Sequence, residues 1–160
     1  MDRIPTSRER VRAALAAHGL AEVPEREFNE STATAVDAAA AIGTTVERIV
    51  KSLVFAAGDR PVLVLVSGPN RVDVGKLSQL VGAPIARANA DQVRGWTGFA
   101  IGGVPPLGHS APIDTYLDQD LLAHDVVWAA AGTPNAVFAI EPRELVRMTR
   151  AQVVEVAQAR

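Results

Sequence analysis

The sequence predicts an α/β domain of the mixed, α+β-like kind, and three observations carry that expectation. A chain of 160 residues with 48% hydrophobic content is long and apolar enough to bury one core. Two runs rich in β-branched residues, 49–56 and 62–66, flank Ala57-Gly58-Asp59-Arg60-Pro61, the pattern of a β-hairpin. Helical segments stand before and after these runs without strict βαβ alternation, which favours a mixed sheet over a doubly wound nucleotide fold.

Each element has its own signal. Thr6-Ser7-Arg8-Glu9 has capping-box spacing and opens an amphipathic helix that stops near Gly19. An alanine-rich helix over 34–42 is closed by Gly43. Asp73 caps a helix running through Leu80 and ending at Gly82. A short segment around Ile85 and a helical stretch near Asp91 lead into a glycine- and proline-rich loop, 102–108. Strands are expected at 125–130 and 136–140. Pro142 suits the first turn of a terminal helix, and a second short helix is expected over 151–158.

Composition excludes several function classes. With no cysteine there is no disulfide, thiolate metal site or cysteine nucleophile. A net charge of −2 argues against a protein that coats nucleic acid non-specifically, and it leaves room for a small contact with one RNA end. Nothing approaches a membrane-spanning run, and the N-terminus lacks the apolar core of a signal peptide. The expectation is a soluble cytoplasmic protein with neither DNA nor a membrane as partner.

Most catalytic patterns fail on inspection. Val74-Gly75-Lys76-Leu77-Ser78 has Asn70 where a phosphate-binding loop needs glycine, and Leu77 where it needs Ser or Thr. His18, His109 and His124 have no zinc-ligand spacing, and no serine sits in a Gly-x-Ser-x-Gly elbow. Asp114, Asp118, Asp120 and Asp125 read as loop and turn acids at least as well as a metal or acid–base pair. No metal or cofactor is expected.

Two features hold attention. Lys51 stands inside the apolar strand Ile49-Val50-Lys51-Ser52-Leu53-Val54-Phe55 and shares a face with Ile49, Leu53 and Phe55. It is one of two lysines against fourteen arginines. Either its stem covers core while the head reaches water, or a desolvated ammonium is kept there for a partner. Ser52 points to the opposite face, which puts a site role for it in doubt. The loop from Gly98 through Gly102, Gly103, Pro105, Pro106 and Gly108 to His109 can bring stiffened backbone close to a ligand, or it can be a tight structural turn.

The 49–55 strand, 61–68, Lys76-Leu77, Thr97-Gly98 to His109, and Ala131-Gly132-Thr133 together resemble, in order, the YbaK/EbsC family. That family is related to the inserted editing domain of bacterial prolyl-tRNA synthetase. The resemblance covers the chain from about Thr32 to the last helix. It implies a single editing domain over 1–160, with 1–30 least characteristic, on a barrel-like mixed sheet flanked by helices. It implies hydrolysis of the ester joining a wrong, small amino acid to a tRNA end, with no cofactor. The partner would be the acceptor end of an aminoacyl-tRNA, with an aminoacyl-tRNA synthetase as a further one.

By resemblance Lys51, Gly102 and Gly103 are the catalytic matches, with Pro105, Gly108, His109, Gly132 and Thr133 as substrate-binding ones. Lys51 would hold the terminal phosphate or ester carbonyl, and the Gly102-Gly103 backbone would donate to the developing oxyanion. No side chain is assigned as general base; a free 2′- or 3′-hydroxyl of the substrate, or a nearby group, would activate the water. Some alanine-specific relatives carry a histidine where this chain has Ala131-Gly132-Thr133-Pro134, which puts alanine specificity in doubt. The alternative is a non-catalytic module of the same fold that binds a tRNA end, a nucleotide or a protein.

Overall fold

A computed structural model describes residues 3–159; Met1, Asp2 and Arg160 of the expected 1–160 domain lie outside the described residues. Helix α1 (Ser7–Ala17) opens on the expected capping box: Thr6 Oγ1 accepts the Glu9 N–H, and Glu9 accepts the Thr6 N–H. It buries Val11 and Leu15, one turn apart, while Arg8 and Arg12 pair with the acids of β1 (Glu25–Glu27). That strand has no apolar alternation and was not expected. Its backbone pairs with β7 (Ala136–Ile140).

Helix α2 (Ala35–Ile42) and a 3-10 turn (Val46–Arg48) lead into the hairpin of β2 (Val50–Ala57) and β3 (Arg60–Ser67). The turn is tighter than 57–61, because pairing extends to Ala57 opposite Arg60 and Gly58 takes a φ of 63°. Helix α3 (Val74–Val81), the short β4 (Ala86–Arg87) and α4 (Ala90–Thr97) follow. After the glycine-rich loop come β5 (Asp114–Asp118), a second 3-10 turn (Gln119–Ala123), β6 (Val127–Ala130), β7, α5 (Pro142–Thr149) and β8 (Gln152–Val154).

The strands form a mixed five-stranded sheet, β4-β2-β3-β5-β8, and an antiparallel three-stranded sheet, β1-β7-β6. An isolated bridge between Ile49 and Trp128 joins them, and no closed barrel is found among the described residues. The mixed α/β class therefore holds, while the two sheets do not confirm the barrel-like description. Strand β3 is central. Its Val62, Val64 and Val66 pack with Val72, Leu77, Val154 and Val156, and its Leu63 and Leu65 pack with Val11, Phe99, Leu117 and Phe138.

Two expectations are corrected. Residues 151–158 do not form a helix. Arg150, at φ 54°, ends α5, and β-branched Val153 and Val154 extend a parallel ladder on β5. The tail stays extended: Val72 bridges Ala157, and Asp73 N–H donates to Val156 O at 2.8 Å. Asp114 and Asp118, read as loop acids, begin and end β5. Asp118 is 1% exposed and accepts the Val156 N–H at 3.1 Å and the Asn70 amide at 3.3 Å.

Replacing Asp118 with Ala leaves the Val156 N–H without this acceptor, while the Asn70 amide keeps Asp120. Stability in urea is expected to fall by about 1–3 kcal/mol, with faster hydrogen exchange at Val156. Wild-type stability and exchange in that variant would mean the carboxylate does not hold the tail.

Candidate functional site

The hairpin register sets Lys51 opposite Val66, Leu53 opposite Val64 and Phe55 opposite Val62, so the predicted face of β2 exists. The Lys51 stem lies along it, half-buried, and Nζ donates to Asn70 O at 2.5 Å. Asn70 is itself pinned. Its N–H donates to Ser67 O at 2.9 Å, and Nδ2 donates to Asp120 at 2.8 Å and to Asp118. Burial lowers the Lys51 pKa from its ordinary value, and the charges of Arg71 and Arg87 lower it further. This is a cation among cations, anchored by a carbonyl rather than a carboxylate.

The other edge of β2 is only partly paired. β4 meets it at Phe55 and Ala56, and the Ile49–Trp128 bridge covers its start. Ala88 N–H donates to Val54 O at 3.2 Å, which sets the phase of the strand. Alternate residues point their N–H and C=O groups to the same side, so Ser52 turns both toward the uncovered stretch. A cavity of about 790 Å³ lies there, and all of Val50 to Val54 line it, whichever face their side chains take. Ser52 Oγ is buried with no hydrogen-bond partner. The doubt about Ser52 rested on facial alternation alone; a cavity wrapping a strand edge is reached from both faces.

Val93, Val104, Ala130, Ala136 and Val137 make the wall aliphatic, while Val36 and Ile101, 65% and 59% exposed, stand at its lining. Gly102 and Thr133 line the same cavity. Gly103 is buried beneath: a Cβ there would come within 2.9 Å of the Thr133 backbone, so the two loops touch only because this residue is glycine. Its N–H donates to Ala100 O at 3.1 Å and closes the loop's own turn, leaving Gly102 as the glycine of the pair beside the cavity. The Thr133 hydroxyl donates to Asn135. Gly132, at φ 102°, passes so close to α1 that a Cβ would lie 2.8 Å from Ser7 O.

Lys51, Gly102 and Thr133 are thus brought together, while Gly108 and His109 line a different depression of about 740 Å³, beside His18, Tyr116 and Arg150. Pro105 is buried, and its carbonyl accepts from His109 Nε2 at 2.7 Å. Burial lowers the His109 pKa, outweighing the bond to Pro105. Sequence reasoning missed Asn70, Arg71 and Arg87. The signal for the first two was the Ser67-Gly68-Pro69-Asn70-Arg71 turn directly after a hairpin strand that faces Lys51. Of the residues lining the cavity, only Lys51 and Arg87 are charged, and none is Asp, Glu or His among the described residues.

Because the Lys51 pKa is depressed on folding, the native state sheds that proton first as pH rises, and stability contributed by this group increases with pH up to its ordinary 10.5. Lys51→Met is therefore expected to be at least as stable as wild type at neutral pH. Its advantage should shrink as urea melts are repeated toward that value. An advantage that grows with pH would contradict the direction of the shift.

Residues 29–148 match the sequence profile of the Aminoacyl-tRNA editing domain, which leaves α1 outside the matched span. Over 120 residues, 74% of this chain and 76% of the relative, 36% are identical to YwhH of Bacillus subtilis, a protein of uncharacterised function. Proline--tRNA ligase of Nitratidesulfovibrio vulgaris is 34% identical over 107 residues, 66% of this chain, which spans only 18% of the ligase. EbsC of Enterococcus faecalis, a proposed Cys-tRNA(Pro)/Cys-tRNA(Cys) deacylase, is 24% identical over 84% of this chain and 86% of its own. A crystal structure of a proposed trans-editing enzyme for prolyl tRNA synthetase superposes with a TM-score of 0.92 at 48% identity, covering 98% of this chain and 100% of that one.

Proposed function

Since the chain belongs to the aminoacyl-tRNA editing domain family, we propose that it hydrolyses the ester bond of mischarged aminoacyl-tRNAs carrying a small amino acid. The observation that carries this reading is the cavity on the open edge of β2, where the Lys51 strand, an unpartnered Ser52 hydroxyl and the Gly102 turn meet. A buried hydroxyl without a partner costs about 1–3 kcal/mol, and a substrate that hydrogen-bonds it recovers that cost. The aliphatic wall accepts a short, uncharged side chain, and the exposed Val36 and Ile101 offer apolar contact to the terminal base.

Arg71 and Arg87 each repel the Lys51 ammonium, so a phosphate of the tRNA end seated beside it relieves that repulsion. The ester carbonyl then faces Ser52 and Gly102. As water adds, the oxyanion accepts hydrogen bonds from the Ser52 edge and the Gly102 amide, groups whose positions are set before the reaction. With no acid or imidazole in the described lining, the vicinal hydroxyl of the terminal ribose relays the proton, accepting one from the attacking water as it gives its own to the departing ribose oxygen. The alcohol of that ribose leaves as the tetrahedral intermediate collapses, giving free amino acid and uncharged tRNA. On this reading the protein works in the cytoplasm, alone or beside an aminoacyl-tRNA synthetase.

Ester loss from a panel of mischarged tRNAs tests the reading. Wild type should deacylate at least one small-amino-acid tRNA above the buffer rate; none in the panel would refute it and favour a binding module. Lys51→Ala should lower kcat/KM by about 10- to 100-fold, mainly through weaker substrate binding, the worth of one charged hydrogen bond. Full activity in that variant would remove Lys51 from the site. Ser52→Ala should cost about 10-fold or more, and unchanged kinetics would remove the hydroxyl.

One phosphate seated among these cations also predicts a shallow log–log salt dependence of binding, near about −0.7 for a single strand. A slope several times steeper would point to a broad basic surface.

A further inference from the structure

We infer that α1, through Arg10, is a positioning element for the loop that carries Gly102, an inference that rests on the deacylase reading of the cavity. Its neighbours Arg3, Arg8 and Arg12 pair with Glu9, Glu25 and Glu27 at the surface. Arg10 turns inward instead. Its Nη2 donates to Gly98 O at 2.7 Å and to Ser7 Oγ at 3.3 Å, and the guanidinium lies 4.2 Å from the centre of the Phe99 ring. His109 meets the same ring edge-on, at 6.3 Å between centres, and its Nε2 reaches Pro105 O.

This run of contacts, Arg10 to Phe99 to His109 to Pro105, ties the two ends of the loop together. Between those ends lie Ile101, Gly102 and Val104, the three loop residues that line the cavity. The loop is held at both sides by burial, with Phe99 at 1% and Val104 at 7% exposure, so its turn moves only if an anchor moves. The same helical turn also supports the opposite wall, because Gly132, next to the cavity-lining Thr133, passes against Ser7 O and Val11. One turn of helix therefore touches both loops that face the substrate.

A guanidinium suits this position because it is planar, always charged and able to donate a fixed hydrogen bond while stacking on a ring. His109, which lines the other depression, enters the same structure as the far support of Phe99. Neither Arg10 nor His109 needs to touch the substrate.

The test combines kinetics with hydrogen exchange on Arg10→Ala, and on Arg10→Lys as the variant that keeps the charge and stem. In Arg10→Ala, kcat is expected to fall about 10- to 100-fold, the cost of a misplacement near 1 Å, with KM within about twofold of wild type. Exchange should quicken in peptides covering 98–109 and not in those covering 50–66. Millimolar guanidinium should restore both kcat and protection. Arg10→Lys should fall between the two, since an ammonium supplies charge without the planar stack.

Wild-type exchange over 98–109 in Arg10→Ala overturns the inference, as does a change confined to KM. General loosening of all peptides, without rescue by guanidinium, overturns it too. Failure of the wild type on every mischarged tRNA refutes the deacylase reading instead, and the exchange and guanidinium measurements then decide the role of Arg10 by themselves.

Discussion

A β-strand hydrogen-bonded along one edge and only partly covered along the other is the constraint on which this molecule's site depends. β2 is paired with β3 over its whole length, which makes it rigid, yet β4 covers its far edge only at Phe55 and Ala56. Unpaired strand edges are ordinarily blunted or covered because they recruit other strands. Here the stretch is short, bounded by β4 at one end and the Ile49–Trp128 bridge at the other, and roofed by loops. A gap of that size is too small for another strand and suits a small group with a donor and an acceptor. Rigidity comes from the paired edge, and on the proposed reading recognition comes from the open one.

The electrostatics follow from the same geometry. Lys51 sits on a face that is otherwise apolar, and its charge is held by the Asn70 carbonyl instead of by an acid. An ion pair would have stabilised the ammonium and neutralised it. A carbonyl fixes its position while leaving the positive field facing outward. The acids stand one step further back: Asp118 and Asp120 hold the Asn70 side chain, and Asp118 also holds the C-terminal tail through Val156. The tail is therefore part of the support for the lysine, although it lies at the far end of the sequence.

Much of this arrangement was legible in the residues. One capping box, an N-cap aspartate, C-terminal glycines and β-branched runs marked α1 through α3, the hairpin and β7, because each is encoded within a few neighbouring positions. The strand lysine and the glycine loop stood out for the same reason. What was not legible depends on distant partners. β1 is polar throughout and is a strand only because β7 offers it a ladder. Residues 152–154 could have wound into a helix and extend because β5 leaves an edge open. Facial alternation correctly set Lys51 and Ser52 on opposite sides of β2, but no pattern in the chain reveals that a cavity reaches both. His109 lies four residues from Pro105 in sequence and beside it in space, yet it faces another depression.

The absence of Asp, Glu and His from the described lining has a consequence for how such a site discriminates. A pocket alone separates amino acids that differ by one methylene by only about 1–3 kcal/mol. Where the proton acceptor belongs to the substrate, reaction requires the ester carbonyl, the vicinal hydroxyl and the fixed donors to align at once. On the proposed reading, a side chain of the wrong size would cost binding and also tilt the carbonyl away from Ser52 and Gly102, so the loss would appear in rate as well as in affinity. Such a scheme works only if the donors do not follow the substrate as it shifts. On the proposed reading that requirement is met by one donor set in a strand paired along its whole length and the other in a loop clamped at Phe99 and Val104.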